Sequence, residues 1–141
     1  MSMTQPSDLR TARQATVLAH IAAENAADVD ATIASFHTPR YNVVPMGAIA
    51  DGEQPVRDLI GGLVAAFPDF HFAAERFHFG DDAVVVEGRV TGTQRAEWAG
   101  IAPGGRRMEI AVACVFDFDG ERLVNETVYF DFATLERQLR S

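Results

Sequence analysis

The hydrophobic period of this chain changes once, near residue 70, and that change restricts the fold more than any other feature. Before it, apolar residues recur at helical spacing; after it, they alternate. Residues 8–26 carry Leu9, Ala12, Val17, His20 and Ile21 on one helical side, with Ser7 as the expected N-cap after Pro6. A short second helix over 28–36 takes Asp28 as its cap and lines up Val29, Ile33 and Phe36. Pro39 breaks it, and the next segment reads as a short strand ending at Pro45-Met46-Gly47. Residues 53–67 form a third helix with Pro55 in the first turn and Val56, Leu59, Ile60, Leu63 and Phe67 on its buried side.

Beyond residue 70 the pattern predicts strands over 70–80 and 83–98, joined at Gly80-Asp81-Asp82. A third long strand over 106–118 turns at Asp119-Gly120 into a last strand over 122–130, and residues 132–139 close the chain as a helix. Early helices followed by an antiparallel meander define an α+β class. A long sheet of this kind curls into a cone around the helices and leaves a pocket between them, suited to a small apolar ligand. On the third long strand Ile110, Val112, Cys114, Phe116 and Phe118 share one face, while Ala111, Ala113 and Val115 share the other. Two apolar faces require two covers: the helices on one side and, we expect, a second copy of the chain on the other.

Composition narrows the function classes. At 141 residues the chain fits one domain, 1–141, and its 48% apolar content is that of a globular protein. The net charge of −8 argues against a nucleic-acid partner, since phosphate binding needs clustered basic residues. All 12 basic residues are arginines, a bias of GC-rich bacterial genomes. No apolar run approaches the ~18 residues that cross a bilayer, and the polar N-terminus has no signal-peptide pattern, so a cytoplasmic, non-membrane protein is expected. Cys114 is alone, which excludes an internal disulfide, and its apolar strand predicts a buried thiol.

Four segments, "AAFPDFHF", "VTGTQRAEWAGIAPGGRRMEI", "FDFDGERLVNETVYFD" and "ATLERQL", resemble in order and spacing the SnoaL-like polyketide cyclases of the nuclear transport factor 2-like superfamily. The likeness spans residues 10–140. It implies a cone-shaped domain with a pocket, binding a small molecule without a cofactor, and cyclase, isomerase, hydrolase or plain binding roles. In the cyclases an aspartate on the last strand, within His-Trp-Asp, is the general acid/base. Glu126, Thr127 and Val128 occupy those three places here, so Val128 replaces the aspartate and Glu126 is the nearest carboxyl on the same strand face.

Three residues are candidates for acid–base chemistry. Glu126, between valines, would sit in a low dielectric that raises its pKa; its alternative is an outward ion pair with an arginine. Asp131 stands where the last strand meets the last helix, as a proton carrier or as that helix's N-cap. His20 lies on the apolar side of the first helix, where an imidazole can relay a proton. The fold analogy places Tyr41 and Asn42 beside the pocket, with Trp98 and Tyr129 at its wall or edge. Phe67, Cys114, Phe116 and Val128 are expected to complete the lining. Glu87 and Arg89, two apart on one strand, permit an epoxide-hydrolase-like pair or a salt bridge. His37, His71 and His78 show no metal-ligand spacing, with His71 and His78 on opposite phases of one strand, and no metal site is expected. "APGGRR" lacks the strand–helix setting of a phosphate loop and reads as a turn.

Overall fold

The structure, a computed structural model, describes residues 6–140. Three helices lead: α1 (Pro6–Asn25), α2 (Val29–Ala34) and, after two short strands, α3 (Glu53–Ala66). The short strands are β1 (Arg40–Val43) and β2 (Ala48–Asp51), separated by a single 3-10 turn. Then follow β3 (His71–Phe79), β4 (Ala83–Thr93), β5 (Arg107–Asp119), β6 (Arg122–Phe130) and the closing helix α4 (Phe132–Arg140). All six strands join one sheet in the order β2-β1-β6-β5-β4-β3, antiparallel except where β1 runs parallel to β6. This is the expected α+β fold, an open curved sheet with helices on its inner face.

Three local expectations are corrected. The early segment makes two strands, because Gly47 in the left-handed region (φ +59°) reverses the chain after only four paired residues. Ser7 is not the cap of α1: it lies within the helix, and its carbonyl accepts from Thr11 Oγ1. The second long strand stops at Thr93 rather than Trp98. Buried Gln94 donates to the carbonyls of Ala96 and Ile101 and folds that stretch into a pinned loop. Asp28, by contrast, caps α2 through the Ala31 N–H as the sequence predicts.

Two register shifts bend the sheet, one in β3 between Ala74 and Arg76 and one where Asp117 and Phe118 of β5 pair with Asn125 and Leu123, which leaves Val124 of β6 without a register partner. The first changes the face assignment of β3. His71 pairs with Thr91 and His78 with Val85, so both histidines sit on the outer face rather than on opposite ones. Gly88 lies against this bulge; a Cβ there would be 2.2 Å from the Ala73 carbonyl oxygen, so only glycine fits. The bend wraps the sheet around α1. Buried Arg13 fastens that helix by donating to the carbonyls of Gly120 and Asp81, and the Asn25 side chain bonds both backbone groups of Phe72. With α1 held at both ends, Val17, His20 and Ile21 are fixed against the concave face.

Candidate functional site

Between α1, α3 and the concave sheet lies a cavity of about 120 Å³. Ile21, Leu59, Leu63, Phe70, Trp98, Met108 and Val128 line much of it. Its polar groups come chiefly from Glu24, Tyr41 and Glu126, with Cys114 beside them. Strand phase explains the grouping. Tyr41 is the register partner of Glu126, Glu126 that of Phe116, and Val128 that of Cys114, so all five side chains share the inner face. From α1, His20 and Glu24 arrive one turn apart on the stripe that faces the sheet.

These side chains make a directed network. Ser35 Oγ donates to the Thr32 carbonyl (2.6 Å), which leaves it to accept from His20 Nδ1 at 2.8 Å. The Tyr41 hydroxyl donates to Glu24 Oε2 at 3.2 Å and accepts from His20 Nε2 at 3.0 Å. Both imidazole nitrogens and the Ser35 and Tyr41 hydroxyls are matched when the imidazole carries both protons. Glu126 Oε1 lies 2.7 Å from Nε2, off the line of an ideal hydrogen bond, so this contact is an ion pair. Glu24 Oε1 is 3.3 Å from the same nitrogen. Phe36 and Phe116 meet the imidazole edge-on at 5.2 and 5.4 Å and hold the ring in place.

Electrostatics follow from burial. His20 is fully buried, which by itself would lower its pKa; the carboxylates of Glu24 and Glu126 outweigh that and lift it to about 10. Desolvation also pushes Glu126 up, as does neighbouring Glu24, against the pull of His20. The cluster therefore retains protons that separate groups would release. Burial raises the Tyr41 hydroxyl and the Cys114 thiol well above their ordinary values, so both stay protonated at neutral pH. His20, Glu24 and Glu126 also place three ligand-type atoms within 4.8 Å of one another. A cation there would have to displace the proton on Nε2, because the network uses it.

The remaining candidates are placed elsewhere. Asp131 is exposed and caps α4: Oδ1 accepts from the Ala133 and Thr134 N–H groups and Oδ2 from the Thr134 hydroxyl. The Thr134 hydroxyl and N–H are the main causes of its lowered pKa. Asp131→Ala should lower the melting temperature by a few degrees and leave ligand binding unchanged, which differential scanning calorimetry and titration would check. Asn42 pairs with Thr127 and Tyr129 with Ala113, on the outer phase of the sheet, and Tyr129 is 47% exposed. Phe67 is wholly buried behind Trp98, edge-on at 5.6 Å, and supports the wall without forming it. Glu87 and Arg89 also face outward; Glu87 meets His78 at 2.7 Å and Arg76 at 3.5 Å rather than Arg89. That excludes them from the cavity. Glu24 and Ser35 were missed by sequence reasoning. Glu24 had a signal, an acid one turn from His20 on the same stripe; Ser35 had none.

Residues 14–139 match the model of the SnoaL-like polyketide cyclases. The chain belongs to that family. A comparison with curated proteins finds no match. Among solved structures, a protein of Jannaschia sp. CCS1 classed as SnoaL-like polyketide cyclase superposes with a TM-score of 0.85 at 19% identity, covering 100% of this chain and 99% of that one. A Xanthomonas campestris pv. campestris protein classed as polyketide cyclase gives 0.83 at 17%, covering 93% and 98%. A Catenulispora acidiphila protein with a ketosteroid isomerase-like fold, in complex with trimethylamine, gives 0.75 at 17%, covering 88% and 91%. In this SnoaL-like chain, Val128 turns hydrocarbon toward the cavity and Glu126 presents a carboxyl two residues earlier on the same strand. Among the described residues no helix is long and apolar enough to cross a membrane.

Proposed function

We propose that this SnoaL-like protein is a cofactor-free enzyme that moves a proton on a small, mostly apolar molecule, in the cyclase, isomerase or hydrolase class. One observation carries the reading: Glu126 is 3% exposed, borders the cavity and lies 2.7 Å from His20 Nε2. A buried carboxylate beside an imidazolium is a general base whose conjugate acid is within reach of a positive charge. In this scheme Glu126 removes a proton from the guest, Glu24 raises its basicity by repulsion, and His20 stabilises the charge that develops. Tyr41 and Ser35 hold the imidazole in its orientation. Val128 takes the space of the family's aspartate without taking part in the chemistry. The trimethylamine complex of the Catenulispora acidiphila protein is in keeping with a guest site in this fold.

A test needs no known substrate. Cyclic ketones and β-keto esters incubated with the protein in deuterium oxide should take up deuterium next to the carbonyl, followed by proton NMR, and faster than in buffer. A full panel with no protein-dependent exchange would overturn the proton-transfer reading in favour of a binding protein.

The protein acts as a homodimer in this proposal, through the outer sheet face. There Tyr129 is exposed and Val85, Val115 and Thr127 are half-buried, on the side away from the helices. Sedimentation at micromolar concentration should give the dimer mass; a monomer would refute this element alone.

A further inference from the structure

The charge balance of the cavity selects its guest. Two carboxylates, Glu24 and Glu126, border it, and none of the chain's 12 arginines does. The one cation at hand, His20, is sealed from the cavity and engaged with Ser35, Tyr41 and Glu126. The Tyr41 hydroxyl, a second potential donor, is committed to Glu24. The Cys114 thiol, a weak donor, is turned to Glu126, so what the Glu24–Glu126 end offers a guest is chiefly carboxyl oxygen, which as carboxylate only accepts hydrogen bonds. Two carboxyl groups thus share a single cation in a low dielectric.

We infer that the site takes a ring-sized guest bearing a hydrogen-bond donor, a hydroxyl or an ammonium, at the Glu24–Glu126 end and no negative charge. Size follows from the cavity: about 120 Å³ is close to the ~150 Å³ of an engineered apolar cavity that admits benzene. The donor follows from the acceptor-only wall. Exclusion of anions follows from the absence of any free cation, since an entering carboxylate would lose its hydration and meet like charge. The apolar walls, among them Leu59, Leu63, Met108 and Trp98, then cover the hydrocarbon part. This inference rests on the reading that the cavity is the ligand site, and it gives that site a substrate class.

Calorimetric titration of the full chain at neutral pH with phenol, benzylamine, benzoate and toluene tests it, with Trp98, the only tryptophan, as a fluorescent second readout. Phenol or benzylamine should bind at least roughly tenfold more tightly than toluene and benzoate, the effect of one hydrogen bond to a charged acceptor. Which of the two is tighter tells a hydroxyl from an ammonium guest. Glu126→Gln should bring the preferred probe and benzoate to within roughly tenfold of each other or closer. Benzoate binding as tightly as phenol and benzylamine would overturn the inference while leaving proton transfer open. Toluene matching both donors would remove the donor requirement and overturn it as well. Silence from all four probes would overturn it together with the ligand site itself.

Discussion

Glu126→Gln should reduce protein-dependent deuterium exchange by roughly 10²–10⁴-fold, the contribution of a positioned general base, and leave the fold intact. The amide keeps the shape of the side chain but cannot take a proton. Stability should change little, because Glu24 still faces His20 while the substitution removes a charge that burial and Glu24 disfavour. The pH profile separates this from indirect damage. In the wild type, activity should rise as Glu126 ionises, above its ordinary range because it is desolvated and faces Glu24. It should fall as His20 loses its proton near about 10. Both limbs belong to the coupled pair rather than to either residue. In the variant the rising limb should disappear and the His20 limb move to lower pH, since one of the two carboxylates that raise it is gone. Full activity in Glu126→Gln would pass the acid–base role to Glu24 or abolish it.

His20→Leu should be the most destabilising single change at the site. It leaves Glu24 and Glu126 without their cation and Ser35 Oγ and Tyr41 without their partner. Breaking a buried ion pair from one side costs roughly 3–5 kcal/mol, measurable by urea unfolding at pH 7. The cost should shrink toward acid pH, where the two carboxylates can take up protons; a packing defect alone would be indifferent to pH. The wild type gives the complementary sign. A histidine raised from 6.5 to about 10 on folding adds stability that is complete below about pH 6.5 and is lost as pH rises through its folded pKa. Melting temperature should therefore fall across that interval, and in His20→Leu the part of the fall centred on the histidine's folded pKa should be absent.

Much of this molecule was legible before any coordinates. The switch of period near residue 70, the caps at Asp28 and Asp131, the hairpin at Asp119-Gly120 and the inward face of Ile110, Val112, Cys114 and Phe116 are local matters. Each depends on residues within one or two turns or on simple alternation. Strand phase also put Glu126 on the face of Val128, and helical phase put His20 on the buried side of α1. Alternation failed where the chain interrupts it: the bulge at Ala74/Arg76 moved His78 onto the face of His71. Asn42 and Tyr129 were assigned by analogy to a place near the pocket rather than by phase, and pairing put them outside.

The sequence by itself determined which residues form helices, which form strands and which side of each is apolar, because those preferences are set by neighbours along the chain. Only the tertiary structure decided that residues 20, 24, 35, 41 and 126 meet. That meeting requires β1, from the helical half, to pair in parallel with β6 near the end of the chain, while Arg13 and Asn25 fasten α1 across the sheet. Such contacts join segments up to about a hundred residues apart, and no periodicity in a single sequence records them. The proton-holding character of the site comes from the same source: desolvation and carboxylate proximity arise when the chain closes around His20.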